Sequence, residues 1–224
     1  MKLSSIDIPD DKNLIILSQP RSGSTWFQSC FPQYNCTEAF NIRYMNMDEQ
    51  NGKLEFCFRK QPFTASSEET TRLIAQRIEK INKITVPKSL RVHVAQVEDI
   101  IGDWITQQNA TIISISRKDK IATFKSLCVA LQQQKFIGQL STESFSVNID
   151  ERIKKIYYAI YYVPDSAKRI MDSYDINHFY YEDLLTSNLI SHNPPVLEQN
   201  TKDIVIENWE EILNYLDDNK LLLK

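Results

Sequence analysis

The pattern of hydrophobic and polar positions predicts buried strands that alternate with amphipathic helices. Two mainly apolar runs, Asn13–Ser18 and Ala110–Ser116, have the length and composition of strands buried on both faces of a parallel sheet. Elsewhere, apolar residues recur every three or four positions, as they do in a helix with one buried face. Further strands are predicted at Leu90–Val94 and Ile176–Tyr181, and helices at Ser24–Cys30, Glu68–Lys83, Val97–Gln107, Asp119–Gln134, Glu151–Tyr174 with an interruption near Pro164, and Ile206–Leu216.

This order of elements indicates an α/β fold, in which right-handed crossovers join the strands of a parallel β-sheet flanked by helices. The segments Asn41–Phe63 and Ile137–Asn148 match no element, and we take them as candidate insertions on the substrate side of the sheet. No internal repeat, low-complexity tract or domain boundary is visible in the sequence. Residues 1–224 are therefore expected to form a single domain.

Composition and charge exclude several classes of function. The chain carries 26 Lys and Arg residues against 29 Asp and Glu residues. It therefore lacks the excess of positive charge that is typical of proteins that bind nucleic acid. The sequence contains no run of about 18 apolar residues, the length that would predict a membrane span. The amino-terminal segment lacks the apolar core of a signal peptide. We therefore expect a soluble, cytoplasmic protein.

The cysteines do not indicate a metal site. The chain has four, and none forms a Cys-x-x-Cys pair; the nearest histidine, His93, is far from all of them in sequence. They are Cys30, Cys36, Cys57 and Cys128. We expect free thiols in a reducing compartment and no bound metal.

The most informative segment is the polar turn Gln19–Thr25, which separates the first predicted strand from the first predicted helix. Backbone N–H groups at the start of a helix are unpaired and attract an anion. Gly23 lets the backbone approach a ligand closely, the two hydroxyl residues after it add donors, and Arg21 adds a positive charge. Ser24 stands where the Walker loop of nucleotide triphosphatases has its lysine. The turn therefore predicts an anion site but disfavours ATP or GTP hydrolysis.

The same turn resembles the 5′-phosphosulfate loop of sulfotransferases that use 3′-phosphoadenosine 5′-phosphosulfate (PAPS). That family carries Pro-[Lys/Arg]-Ser-Gly-[Ser/Thr]-Thr-[Trp/Leu] after a strand, and the present chain matches every position. The arginine form resembles the bacterial trehalose sulfotransferase-like and tyrosylprotein branches more than the cytosolic branch. The resemblance implies a three-layer sandwich like that of P-loop NTPases. It also implies cofactor binding by Pro20, Arg21, Ser22, Gly23, Ser24, Thr25 and Trp26.

Two further segments resemble landmarks of this family. Arg117 ends a predicted strand and Ser126 follows nine residues later, which resembles the 3′-phosphate site of the trehalose-type branch. A spacing of eight, usual in the cytosolic branch, would fall on Lys125. The run Tyr181-Glu182-Asp183-Leu184 resembles a strand end at which the tyrosine packs near the nucleotide. We expect Glu182 and Asp183 to stabilise that strand end rather than to act in catalysis.

The carboxyl-terminal region matches the family only weakly. Many members close over the nucleotide with an Arg-Lys-Gly segment and a later Gly-Asp-Trp, of which this chain keeps one lysine and one tryptophan. Lys202 is a candidate phosphate contact, whereas Trp209 is more typical of helix packing.

The resemblance implies transfer of a sulfuryl group from PAPS to a hydroxyl acceptor by in-line displacement, without a metal. Arg21 is the candidate for stabilising the bridging oxygen of the leaving group. Two residues compete for the role of general base. Glu38 resembles the base of the trehalose-type and tyrosylprotein branches and is preferred, while His93 resembles that of the cytosolic branch. Arg91 is a candidate second cation.

Two other functions remain open at this stage. A nucleotide or small-molecule kinase shares the strand, turn and helix arrangement, although the loop lysine and magnesium ligands are missing. A catalytically silent nucleotide-binding module is compatible with the incomplete carboxyl-terminal motif. The expected acceptor is a hydroxyl compound of one of four classes: a sugar, a lipid, a peptide or a small molecule.

Overall fold

The fold is given by a computed structural model, which describes residues 11–31, 33–38, 42–48, 53–58, 61–63, 68–84, 86, 88–94, 97, 99–133, 143–149, 153, 156–157, 160–161, 163, 165–174, 176–186 and 204–218. Between residues 35 and 71 the description covers the backbone alone. Lys202 lies outside the described residues.

Strands and helices alternate through most of the chain. In order they are β1 (Asn13–Ser18), α1 (Ser24–Ser29), β2 (Asn35–Glu38), β3 (Ile42–Asp48), β4 (Lys53–Phe58), β5 (Gln61–Phe63), α2 (Glu68–Asn82), β6 (Lys88–His93), α3 (Asp99–Thr106), β7 (Ala110–Ser116), α4 (Lys120–Gln132), α5 (Asp165–Ser173), β8 (Asn177–Tyr180), α6 (Tyr181–Thr186) and α7 (Trp209–Asp218). Five of the strands form a sheet in the order β2-β6-β1-β7-β8, and every pair of neighbours is parallel.

The two faces of this sheet pack against different helices. Because side chains alternate along a strand, Leu14 and Ile16 of β1 belong to one buried cluster and Ile15 and Leu17 to another. The first cluster includes the aromatic residues Trp26, Phe27, Phe31 and Tyr34. The second is completed by Ile74 and Ile81 of α2, Ile101 and Ile105 of α3, and Ala167 and Ile170 of α5. The sheet therefore lies between two helical layers, which confirms the predicted α/β fold.

A third buried cluster joins α4 to α7. Phe124 of α4 packs edge-on to Tyr157, with 5.9 Å between ring centroids, and Ile212 and Leu216 of α7 belong to the same cluster. The Asp119 side chain caps α4 by accepting a hydrogen bond from the N–H of Ala122. This cap fixes the start of the helix that carries Ser126.

Two segments that match no element in the sequence are structured. Strands β3, β4 and β5 form an antiparallel sheet from residues 42–48, 53–58 and 61–63. Part of the second segment pairs with the chain before α7, where Phe145 and Ile206 form a parallel bridge and Glu207 accepts hydrogen bonds from Ser144 and Ser146. Both structures depend on pairing between strands or segments, which the local pattern of hydrophobic residues does not reveal. Within the described residues, no helix is both long and apolar enough to cross a membrane.

Candidate functional site

The candidate site lies where the parallel strands end. Ser18, the last residue of β1, is in register with His93 of β6 and with Ile115 of β7, while Ser116 is in register with Tyr180 of β8. All these strands run in the same direction, so their carboxyl ends share one edge of the sheet. The turn after β1, Arg117 after β7 and Tyr181 after β8 therefore meet at this edge.

The turn between β1 and α1 has an unusual backbone. Arg21 has φ 59° and Gly23 has φ 80°, both in the left-handed region. This conformation suits glycine and costs other residues about 1–2 kcal/mol. The side chains of Ser18 and Ser22 are fully buried, and within the described part of the chain their Oγ atoms have no hydrogen-bond partner. Buried hydroxyl groups of this kind are expected to bind a ligand or water.

Arg21 joins the turn to the helix that follows β7. Its Nε donates a hydrogen bond of 3.1 Å to Oγ of Ser126, 105 residues further along the chain. Burial, together with the nearby positive charge of Arg117, lowers the pKa of Arg21 to about 10, so the group remains charged at neutral pH. Two guanidinium groups and a hydroxyl therefore converge at one place, which favours a multiply charged anion.

Tyr181 contacts three parts of this arrangement. The guanidinium carbon of Arg117 lies 4.9 Å from the centre of its ring. The ring packs edge-on to Trp26 at 5.5 Å between centroids, and it also covers Gly23, where a β-carbon would come within 2.8 Å of three ring atoms. Glycine at position 23 therefore permits the positive φ angle and also leaves space for the Tyr181 ring.

The two acidic residues after Tyr181 bind the chain next to Arg117. Glu182 accepts a hydrogen bond of 3.2 Å from the backbone N–H of Lys118, and Asp183 forms an ion pair with the Lys118 side chain. The hydrogen bond with Asp183 raises the pKa of Lys118. The two carboxylates therefore join the chain after β8 to the chain after β7, which is consistent with the structural role expected from the sequence.

A second group of residues lies on β6 and its neighbours. The Nη1 of Arg91 donates a hydrogen bond to the hydroxyl of Thr25 at the start of α1. Glu38 is the register partner of Arg91 on the neighbouring strand β2, for which only the backbone is described. His93 ends β6 as a buried residue, beside Ser18 of β1. Both candidate bases therefore lie near the same edge of the sheet as the turn.

Several of the predicted site residues converge at this edge of the sheet. Arg21, Arg117, Ser126, Tyr181 and Gly23 are joined by the contacts above, and Ser126, rather than Lys125, is the residue that Arg21 reaches. Arg21 was expected at the 5′ end of the nucleotide, yet its Nε faces the residue assigned to the 3′-phosphate. Among the remaining motif residues, Pro20, Ser22 and Ser24 are buried, and Thr25 is exposed.

One histidine near the site was not singled out from the sequence. The ring of His178 on β8 lies between two serine hydroxyls of β7, with Nε2 3.0 Å from Ser116 Oγ and Nδ1 3.1 Å from Ser114 Oγ. Burial and the charge of Lys120 lower the pKa of His178. The two serines interrupt an otherwise apolar strand at alternate positions, and this pattern was the available indication of a polar partner on the next strand.

The described residues contain no group of three or more His, Cys, Asp or Glu side chains that could hold a metal ion. Comparison with known proteins adds no assignment: no family model matches the chain, and no curated protein matches it.

Proposed function

We propose that this protein is a sulfotransferase that moves a sulfuryl group from PAPS to a hydroxyl acceptor. The observation that carries the proposal is the hydrogen bond from Arg21 to Ser126 beside Arg117. It unites residues of two motifs that were assigned to the same nucleotide from separate parts of the sequence. Charged, bidentate donors such as arginine suit the phosphate groups of that nucleotide.

The buried polar atoms of the site fit such a cofactor. Ser18 Oγ, Ser22 Oγ and Arg117 Nε are all buried and lack a hydrogen-bond partner among the described residues. Leaving buried polar atoms unpaired costs about 1–3 kcal/mol for each group. A ligand with many acceptor oxygens would satisfy the arginine and both hydroxyls. When bound, PAPS would supply an activated sulfuryl group together with a phosphate leaving group.

The proposed division of labour follows the contacts. Arg117 and Ser126 would hold the 3′-phosphate, and Arg21 would contribute charge to the same group because its Nε faces Ser126. Stabilisation of the bridging oxygen is then shared between Arg21 and Arg91, which is joined to the turn through Thr25. Fixed positive charge in a partly buried site stabilises negative charge that develops on a leaving oxygen.

The proposed base accepts the proton of the acceptor hydroxyl. Glu38 remains our first assignment, and its register position beside Arg91 supports it, since a carboxylate and a guanidinium would then flank the transfer site. His93 is the second assignment, and its burial disfavours it as a group that must meet an incoming acceptor.

The cytoplasm is the proposed place of action. Cys30 and Cys128 are free and buried, which is typical of proteins in a reducing compartment. Burial raises the pKa of the Cys30 thiol to about 12, so this thiol is unreactive at neutral pH.

Calorimetric titration with adenosine 3′,5′-bisphosphate, the product nucleotide, tests the cofactor assignment. We expect micromolar affinity in the wild type and a loss of at least about 10-fold in Ser126→Ala, as for a hydrogen bond to a charged group. The matched control is Ser146→Ala, which removes an exposed hydroxyl bonded to Glu207 and should leave the affinity unchanged. Absence of wild-type binding at millimolar ligand would reject the cofactor.

Transfer of labelled sulfuryl groups from PAPS to a panel of hydroxyl compounds tests the activity. Sugars, lipids, tyrosine peptides and phenols are the classes to include. Tight binding of the bisphosphate without transfer to any class would favour a silent nucleotide-binding module. Magnesium-dependent consumption of ATP would instead favour a kinase.

A further inference from the structure

The ring of Tyr181 is the common contact of the two parts of the anion site. It covers Gly23 in the turn so closely that no β-carbon fits there, and it lies 4.9 Å from the guanidinium carbon of Arg117. The turn and Arg117 belong to loops after different strands. One side chain, supplied by a third strand end, therefore touches both.

The position of this ring is fixed from several directions. Tyr180, the preceding residue, is in register with Ser116, the residue before Arg117. Trp26 packs edge-on against the ring at an interplanar angle of 88°. Tyr181 is also buried, with 8% of its surface exposed. A buried aromatic ring held by neighbours on both loops has little freedom to move, so its contacts set the separation between them.

Arg117 depends on this ring more than an exposed arginine would. Its Nε is buried and has no hydrogen-bond partner among the described residues. A cation over an aromatic face is held by the charge distribution of the ring, most strongly where water is excluded. The nearby charge of Arg21 repels Arg117, and the contact with the Tyr181 ring opposes this repulsion.

We infer that Tyr181 is a positioning residue, whose ring holds the Arg117 guanidinium at a fixed distance from the turn. The two anion-binding parts then act as one preformed unit, and a ligand that carries both anions gains from their fixed separation. The identity of that ligand rests on the proposed function, whereas the contact between Tyr181 and Arg117 does not.

The positioning role is tested without a ligand by the ¹⁵N–¹H signal of Arg117 Nε, assigned by its loss in Arg117→Lys. A proton held near an aromatic ring is shifted by the ring current, and a buried N–H exchanges slowly with water. We expect a shifted, slowly exchanging signal in the wild type and in Tyr181→Phe, and an unshifted, rapidly exchanging one in Tyr181→Leu. Tyr157→Leu, in the third cluster, is the control for general loss of packing.

A second measurement compares affinities for adenosine 3′,5′-bisphosphate, 3′-AMP and 5′-AMP. In Tyr181→Leu the bisphosphate should bind about 10-fold more weakly, the size expected for a desolvated cation–π contact, while each monophosphate changes much less. Tyr181→Phe should restore the bisphosphate affinity, and Tyr157→Leu should leave it intact.

The outcomes separate the two proposals. An Arg117 signal that is the same in Tyr181→Leu as in the wild type overturns the positioning role, whatever the protein binds. Equal weakening of all three nucleotides also overturns it, because a simple contact or a structural role would act on each ligand alike. If the wild type binds none of the nucleotides, the proposed function fails while the spectroscopic comparison still decides the role of Tyr181.

Discussion

The candidate site has two ends that are held in place by different means. The Arg117 end comprises Arg21, Arg117, Ser126 and Tyr181. Arg21 donates a hydrogen bond to Ser126 and lies near the charge of Arg117, whose guanidinium faces the Tyr181 ring. The Arg91 end comprises Thr25, Glu38, Arg91 and His93. Here the strand residues are brought together by the register of β2, β6 and β1, and the side-chain link to the turn is Arg91 to Thr25.

This difference explains why the Arg117 end supports a specific proposal for the ligand, whereas the Arg91 end offers two candidates for the base. Arg21, Arg117 and Ser126 approach one another from the turn after β1, the end of β7 and helix α4, and such a group of donors favours an anion. Register places Glu38 beside Arg91 and His93 beside Ser18, so both candidate bases lie near the same edge of the sheet, and the burial of His93 favours Glu38. The Arg117 end therefore supports the proposed cofactor, and variants of Glu38 and His93 test which of the two is the proposed base.

The largest expected effect separates the two candidate bases. Glu38→Gln keeps the size of the side chain but removes its basicity, so we expect turnover to fall by about 10²–10⁴-fold, the range for loss of a general base. His93→Asn should change turnover by less than about 10-fold on the same scale. Initial rates of sulfuryl transfer at saturating PAPS provide the measurement. The reverse order of effects would move the assignment to His93, and two unaffected variants would exclude both residues.

The next effect tests the Arg117 end. Arg117→Ala removes a guanidinium that faces Tyr181 and lies near Arg21. We expect the affinity for adenosine 3′,5′-bisphosphate to fall about 100-fold, or ~2.7 kcal/mol, within the range for hydrogen bonds to charged groups. Lys118→Ala is a matched control, because this neighbouring lysine is exposed and paired with Asp183. Equal losses in the two variants would indicate a general effect of charge and would contradict a specific contact.

The sequence predicted the central sheet better than its edges. The bounds of β1 and β7 agree with the prediction to the residue, because both are apolar runs that end at polar turns. Strand β2 was missed, although it carries Glu38. It is four residues long, and it is a strand because it pairs with β6, a partner some fifty residues away that local periodicity cannot reveal.

The same limit applies to the site. Arg117 and Ser126 were identified as a pair from the resemblance to the 3′-phosphate site of sulfotransferases, in which a strand end and the next helix form a local unit. The contact between Arg21 and Ser126 was not, because it depends on the left-handed backbone at Arg21 and on the way two βα units pack together. The role of Tyr181 at Gly23 was missed for a similar reason. A motif states which residues are present, but their side-chain directions follow from tertiary packing.

A smaller effect, on stability, tests how tightly the turn is packed. Gly23→Ala places a methyl group at φ 80° against the Tyr181 ring, and we expect the free energy of unfolding to fall by about 2 kcal/mol or more, as for a left-handed residue with added steric strain. Gly102→Ala is the matched control. Its β-carbon would meet Ser166 at 3.4 Å and Ile170 at 3.6 Å inside α3, where alanine favours the helix by up to about 1 kcal/mol. Urea unfolding measures both.

The effect of Gly23→Ala on the free energy of unfolding can also be measured in the Tyr181→Leu variant. In Tyr181→Leu the aromatic ring is gone, so Gly23→Ala should cost less than in the wild type, leaving mainly the backbone strain. Equal costs in the two backgrounds would mean that the ring does not press on the turn. In that case the Arg117 end would depend on register to the same extent as the Arg91 end, and the contrast between them would disappear.

The smallest expected effect is a pH dependence at the strand that supports the Arg117 end. His178 contacts Ser114 and Ser116, packs near Tyr180, and has a pKa lowered by burial and by Lys120. The unfolded chain therefore takes up a proton near pH 6.5, where the folded state does not yet do so, and stability falls as the pH drops below that value. In Lys120→Gln, with one of the two causes removed, the pKa of His178 in an NMR titration should rise and the loss of stability between pH 7 and 5 should become shallower. A wild-type pKa at or above 6.5 would contradict a net destabilisation of the charged ring by burial and Lys120.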